Sequence, residues 1–234
     1  MRRLLALLCV SFAIAHYSFA QITSTFDTDT DGWTFTSPIT VNHSTTNGNP
    51  GGFVYATYSS NQSVTYQHWI APAKFIGNHV KRSFGMKLRF DLQQSIAGTA
   101  NSYEVIIRNG GNNIYQTNLN PKPAVAPDWT SYSFTLDETG GWLYQTGVPA
   151  TREQIKHILT NVTAIEIRGT YATNANYTSG LDNVVLEQRI LEEAPTITSF
   201  TPESAKPGEN VTVTGTGFSA FAADNIVHFN GVAA

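Results

Sequence analysis

The residues with the clearest chemical pattern are the acids of Phe26-Asp27-Thr28-Asp29-Thr30-Asp31-Gly32-Trp33. Three carboxylates at alternate positions, followed by a glycine that permits a sharp turn, form the front half of a calcium loop. A hard cation needs several oxygen ligands, and this spacing supplies them. A complete helix–loop–helix site would require glutamate at the twelfth position counted from Asp27, about one loop length on, and Pro38 stands there. That reading is excluded. Asp27, Asp29 and Asp31 remain either calcium ligands completed from elsewhere in the chain or a solvated acidic turn with Phe26 and Trp33 packed inward.

Catalytic chemistry finds less support. Glycoside hydrolysis needs two acids facing one cleft, and Glu104, Asp128, Asp137, Glu138 and Glu166 each read as strand-face or turn residues. His68, His79 and His157 are scattered, without i,i+4 spacing or cysteine partners, which argues against zinc. The chain carries no Gly-rich phosphate loop, no CxxC, no HExxH and no GxSxG, so no catalytic residue is assigned. Aromatic residues make up 12% of the chain, enough to supply both a core and a platform for sugar rings. Most belong in a β interior. Trp129, Tyr115 and Tyr177 stand in expected loops and are the candidate ligand-binding aromatics. The formal net charge of −3 gives no general attraction to nucleic acid.

These side chains must be positioned by strands. Phe53–Tyr58 is β-branched and aromatic and follows the breaker Asn49-Pro50-Gly51-Gly52. Met86–Leu92 alternates strictly, with Met86, Leu88, Phe90 and Leu92 on one face and Lys87, Arg89 and Asp91 on the other. Tyr103–Arg108, Ser131–Leu136, Ala164–Arg168 and Leu181–Leu186 are further strands. Period-two patterning with Gly, Asn and Pro punctuation predicts an antiparallel sandwich. One segment departs from it. Thr151–Thr160 has apolar residues at helical spacing (Ile155, Ile158, Leu159), with Thr151 as N-cap and Gln154 completing a capping box, which predicts one short helix.

The chain opens as an export signal: Arg2 and Arg3, an apolar stretch from Leu4 to Ala15, then small residues at Ser18 and Ala20. The apolar run is shorter than the roughly 20 residues of a membrane-spanning helix. Residues 1–20 are expected to be removed, giving a secreted product without membrane insertion. The single cysteine, Cys9, lies within that leader, so the mature chain is stabilised without disulfides. Asn42, Asn61, Asn161, Asn176 and Asn210 begin N-glycosylation triplets, several of which arise by chance in so polar a sequence. A first domain is expected over 21–190, a linker over 191–195, and the start of a second β domain over 196–234. About forty residues bury too little surface to fold alone.

Four stretches in order resemble the laminin B domain, also called laminin domain IV. They are Tyr66-Gln67-His68-Trp69 with Ala71-Pro72 and Phe75-Ile76-Gly77-Asn78 leading into Phe84–Phe90, then Trp142 with the expected helix, then Leu159–Arg168, and finally Leu181–Leu186. The resemblance implies an all-β jelly-roll sandwich of the galactose-binding-like type with no catalytic residues. In such sandwiches the first and last strands are neighbours and a structural calcium often bridges them. This would bring Asp182 to Asp27, Asp29 or Asp31. The tail, with Pro195–Pro202, Pro207-Gly208, Gly215–Phe218 and Val227–Gly231, is similar to the first half of a TIG domain, the opening strands of an immunoglobulin-like sandwich. The expectation is a non-catalytic secreted binding or adhesion module contacting extracellular glycan or protein. The alternatives are an accessory carbohydrate-binding region of a larger secreted polysaccharide-acting enzyme, or a structural spacer.

Overall fold

The computed structural model describes residues 19–36, 38–59, 67–117, 119–172, 176–190, 196–202, 204, 206, 208–218, 228–229 and 232–233. The expected leader up to Ser18, Cys9, the triplet at Asn61 and the expected linker 191–195 lie outside them. Two units are present, residues 1–189 and 190–234.

In chain order the strands of the first unit are β1 (Phe19–Ser24), β2 (Thr34–Phe35), β3 (Val41–Ser44), β4 (Phe53–Tyr58), β5 (His68–Ile70), β6 (Lys87–Gln94) and β7 (Val105–Asn109). They continue with β8 (Asn112–Gln116), β9 (Ala124–Val125), β10 (Thr130–Thr135), β11 (Leu143–Tyr144), β12 (Ala164–Arg168) and β13 (Tyr177–Arg189). A seven-stranded sheet runs β10-β6-β13-β4-β3, with β1 also on β13 and β9 on β6. A six-stranded sheet runs β11-β8-β7-β12-β5-β2. The long β13 is the centre of the first sheet, since it pairs with β1, β4 and β6. First and last strands are therefore neighbours.

The period-two pattern explains the layering. Leu88, Phe90 and Leu92 of β6 and Leu181, Val184 and Leu186 of β13 are buried between the sheets, as are Ile107 of β7, Ile114 of β8 and Ile165 and Ile167 of β12. Trp33, Trp69, Phe75 and Tyr58 fill the same interior. Apolar burial at about 25 cal/mol per Å² is what holds such a sandwich together, and no disulfide is needed.

The single expected helix becomes two. α1 (Val80–Ser83) is a four-residue turn that sequence reading left out, and α2 (Arg152–Thr160) is the predicted one. In α2 the Thr151 hydroxyl accepts the Gln154 N–H at 3.3 Å, and the Gln154 side chain accepts the Thr151 N–H at 2.9 Å. Ile155, Ile158 and Leu159 face inward. The strand expected from Tyr103 begins at Val105 instead; ahead of it Tyr103 is exposed and Glu104 is buried.

The second unit holds two antiparallel pairs. β14 (Thr196–Thr201) pairs with β15 (Thr212–Thr216), and β16 (His228–Phe229) pairs with β17 (Val232–Ala233). Every residue of β14 is exposed.

Candidate functional site

Asp182 sits on the outward-facing register of β13, directly opposite Asp91 on β6. The ladder slips between Asp182 and Val185, and Asn183 takes a left-handed backbone with φ 48°. Such a bulge re-aims side chains. Here it turns the Asn183 amide back to Asp91 Oδ2 at 2.9 Å and to the carbonyl of Asn49. From the loop before β4, the Asn49 main-chain N–H donates to Asp182 Oδ2 at 2.6 Å, and its side chain donates to Asp91 Oδ2 at 3.1 Å. The Asn183 N–H donates to Asp182 Oδ1 at 2.7 Å. Burial pushes the Asp182 carboxyl up to about 7; the two main-chain N–H groups oppose this, and the charges of Asp91 and Asp27 add to it.

Asp27 approaches the same loop from the other side. A Cβ at Gly51 would collide with Asp27 Oδ1, one at Gly48 would stand 2.8 Å from Asp182 Oδ2, and one at Gly52 would strike the Phe26 carbonyl. The glycines of residues 48–52 therefore let the main chain lie against a set of oxygens. Phe26 itself has φ 54°, uncommon for a bulky residue and typical of functional junctions. Its carbonyl accepts a hydrogen bond from His43 Nε2 at 2.7 Å.

Of the four acids expected as metal ligands, Asp27 and Asp182 share this junction. Asp29 and Asp31 do not join them: the Asp31 carboxylate pairs with Lys74, and Asp29 Oδ1 accepts the Asp31 N–H at 2.6 Å. Asp91, the acid that faces Asp182, was passed over by sequence reading, although strict alternation had put it on the polar face of its strand. Among the described residues no three acid or histidine side chains converge closely enough to hold a metal ion by themselves.

The three candidate aromatics go to three places. Trp129 is half-buried on the outer face of the seven-stranded sheet. Its ring meets Phe53 edge-on at 5.3 Å, Phe53 continues to Tyr55 at 5.8 Å, and its Nε1–H donates to the Asn47 carbonyl at 3.3 Å. Gly180 lies beneath, where a Cβ would stand 2.7 Å from Gln93 Cγ and 3.1 Å from Trp129 Cη2. Phe53 and Tyr55, which alternate outward on β4, complete a row that sequence reading missed. Tyr115 is not a loop residue: it lies within β8 of the other sheet and is only 6% exposed, with its ring meeting Tyr103 edge-on at 4.6 Å. Together with Asn101, Ser102 and Thr117 these two line an open groove of 320 Å³. Tyr177 is a correction. It is 1% exposed and stacked on Tyr58 at 5.4 Å, because it opens β13 on the inward register rather than ending a loop. It cannot serve as a platform.

The described elements define an all-β jelly-roll sandwich followed by the opening strands of an immunoglobulin-like unit. The chain belongs to the Laminin B (Domain IV) family, whose model matches residues 68–197. An IPT/TIG domain model matches residues 195–234. The chain is 31% identical to the human laminin subunit gamma-2 over 182 residues, 74% of this chain and 14% of that protein. It is 29% identical to the human laminin subunit gamma-1 over 178 residues, 73% of this chain and 10% of that protein. The chain thus spans a small part of these relatives. Among solved structures, the L4b domain of human laminin alpha-2 is similar at a TM-score of 0.49 with 19% identity, covering 77% of this chain and 96% of that one. A family 11 carbohydrate-binding module of a Clostridium thermocellum cellulase is also similar, at a TM-score of 0.44 with 13% identity, covering 72% of this chain and 95% of that one. Among the described residues no helix is long and apolar enough to cross a membrane.

Proposed function

We propose that this chain is a non-catalytic secreted module that binds an extracellular glycan or protein surface through the outer face of its seven-stranded sheet. One observation carries the reading: Phe53, Tyr55 and Trp129 form a continuous aromatic row there, with Trp129 held by Asn47 and seated on Gly180. Aromatic rings fixed in advance give contact area at little entropic loss. The paired hydroxyls of Thr57 and Thr178, 3.0 Å apart on the same face, offer hydrogen bonds beside the rings. The test is a glycan array and an extracellular-matrix protein panel probed with the intact chain and with Trp129→Ala. Retention that drops at least tenfold in the variant supports the reading; a chain retained on neither panel is a spacer.

The same reading gives the acid junction a calcium ion as a fold staple, with Asp27 and Asp182 as its carboxylate ligands. Its support is the chemistry of the donors, which are carboxylate and main-chain carbonyl oxygens of the kind a hard cation takes, and the close approach to them of the loop at Gly48, Gly51 and Gly52, where a Cβ would collide. Asp29 and Asp31 have no part in it.

A further inference from the structure

Glu104 is fully buried, immediately after a tyrosine that is 48% exposed. Its Oε1 accepts Lys122 Nζ at 3.0 Å and the Ser102 N–H at 3.3 Å, and stands 3.6 Å from Nη1 of the buried Arg168. Lys122 and Arg168 both lie over the Tyr171 ring, at 5.4 and 5.2 Å. A buried ion network is poor value as a source of stability, because desolvation offsets most of the attraction, and its best-attested use is to specify one arrangement. The arrangement it specifies here is that of residues 101–104. Glu104 also donates its N–H to the Gln116 carbonyl at 2.7 Å and accepts the Arg168 N–H at its own carbonyl at 2.8 Å. His68 Nε2 donates to the Tyr103 carbonyl at 2.8 Å. Tyr103 is thereby an exposed ring on a rigid support, braced edge-on by Tyr115 at 82°.

The groove at this ring has the size and polarity of a small-ligand site. Its 320 Å³ is at the low end of the roughly 300–1,000 Å³ usual for such sites. The lining is uncharged: two tyrosines, Asn101, Ser102 and Thr117. The nearby cation Lys122 is engaged by Glu104 and the Tyr171 face. An ionic ligand would lose hydration there without meeting an opposite charge. A neutral polyol would place its C–H face on Tyr103 and its hydroxyls against the amide and hydroxyl groups. Because the two rings are perpendicular, only one stacking face is offered. This suits a single sugar ring better than an extended proline-rich peptide, which needs a longer aromatic-lined track.

We propose that the groove of Asn101, Ser102, Tyr103, Tyr115 and Thr117 is a second binding site, on the sheet opposite the Trp129 row, that takes one neutral pyranose unit of a glycan. It stands independently of the Trp129 face. The test is an amide-resolved NMR titration of the full chain with cellohexaose, xylohexaose and mannohexaose, alongside a heparin hexasaccharide and a proline-rich peptide. The expected result is saturable shifts at residues 101–103 and 115–117 with at least one neutral hexasaccharide. These should weaken tenfold or more in Tyr103→Ala and persist in Tyr103→Phe. Shifts at 53–55 and 129–130 report the other face separately. The proposal is overturned if no neutral sugar moves the groove amides, if Tyr103→Ala binds as tightly as the parent chain, or if only heparin or the peptide occupies the groove.

Discussion

Asp91 and Asp182 face each other across neighbouring strands, both buried, and among the described residues neither forms an ion pair with lysine or arginine. Like charges directly opposite in a sheet are destabilising. What holds this pair is a set of N–H donors from Asn49 and Asn183, together with whatever neutralises the remaining charge, whether a proton or a metal ion.

Without metal, a proton does so. The Asp182 carboxyl is raised from its ordinary 3.8 to about 7 by burial, so the folded state holds that proton more tightly than the unfolded chain. Its favourable contribution is complete below the unfolded value and is lost as pH rises through 7. In a chelator-containing buffer the melting temperature is expected to be higher at pH 5 than at pH 8. Asp182→Asn should flatten that slope. An equal slope in the variant would remove Asp182 as its source.

With calcium the order reverses. Calcium that binds only the folded state at a hundred times its dissociation constant adds about 2.7 kcal/mol, which is several degrees in Tm for a domain of this size. Calcium at pH 8 should raise Tm, Asp27→Ala should abolish the gain, and Asp29→Ala should keep it. Identical melting curves with calcium and with chelator would rule out the ion.

The contact of Trp129 with Gly180 predicts a different kind of sensitivity. Gly180→Ala puts a methyl against Gln93 and the indole, an overpacking that costs about 1–3 kcal/mol. Trp129 should lift toward water, with a red-shifted fluorescence component that Trp129→Phe eliminates. An unchanged spectrum would mean that the indole is not seated there in solution.

Removing Glu104 leaves Arg168, only 3% exposed, as a buried cation with no other carboxylate partner among the described residues. Glu104→Ala is expected to cost about 3–5 kcal/mol, read as a lowered urea midpoint. Lys122→Met should cost much less, since Glu104 keeps Arg168 nearby and Lys122 lies closer to the surface. Equal losses from the two variants would contradict this ordering.

Local pattern was sufficient to read the strands Phe53–Tyr58 and Ala164–Arg168, the capped helix after Thr151 and the order of the family's stretches. Each depends on interactions within a few residues: side-chain alternation, turn residues, or a cap three residues from its target. The same pattern put Asp91 on a polar face and Asp182 on a closing strand. It did not say that β6 and β13 are neighbours in this register, because strand pairing is settled by contacts ninety residues apart. Tyr177 shows the limit most plainly. Its neighbours Asn176 and Thr178 read as loop, yet β13 begins at Tyr177 and turns it into the core. Phe53 and Tyr55 were legible as strand residues but became a surface row only when Trp129, some seventy-five positions along, folded across Gly180. Period two assigns a side chain to one face or the other. Which face meets water, and what lies across it, is decided by the stacking of two sheets whose strands come from the whole length of the domain.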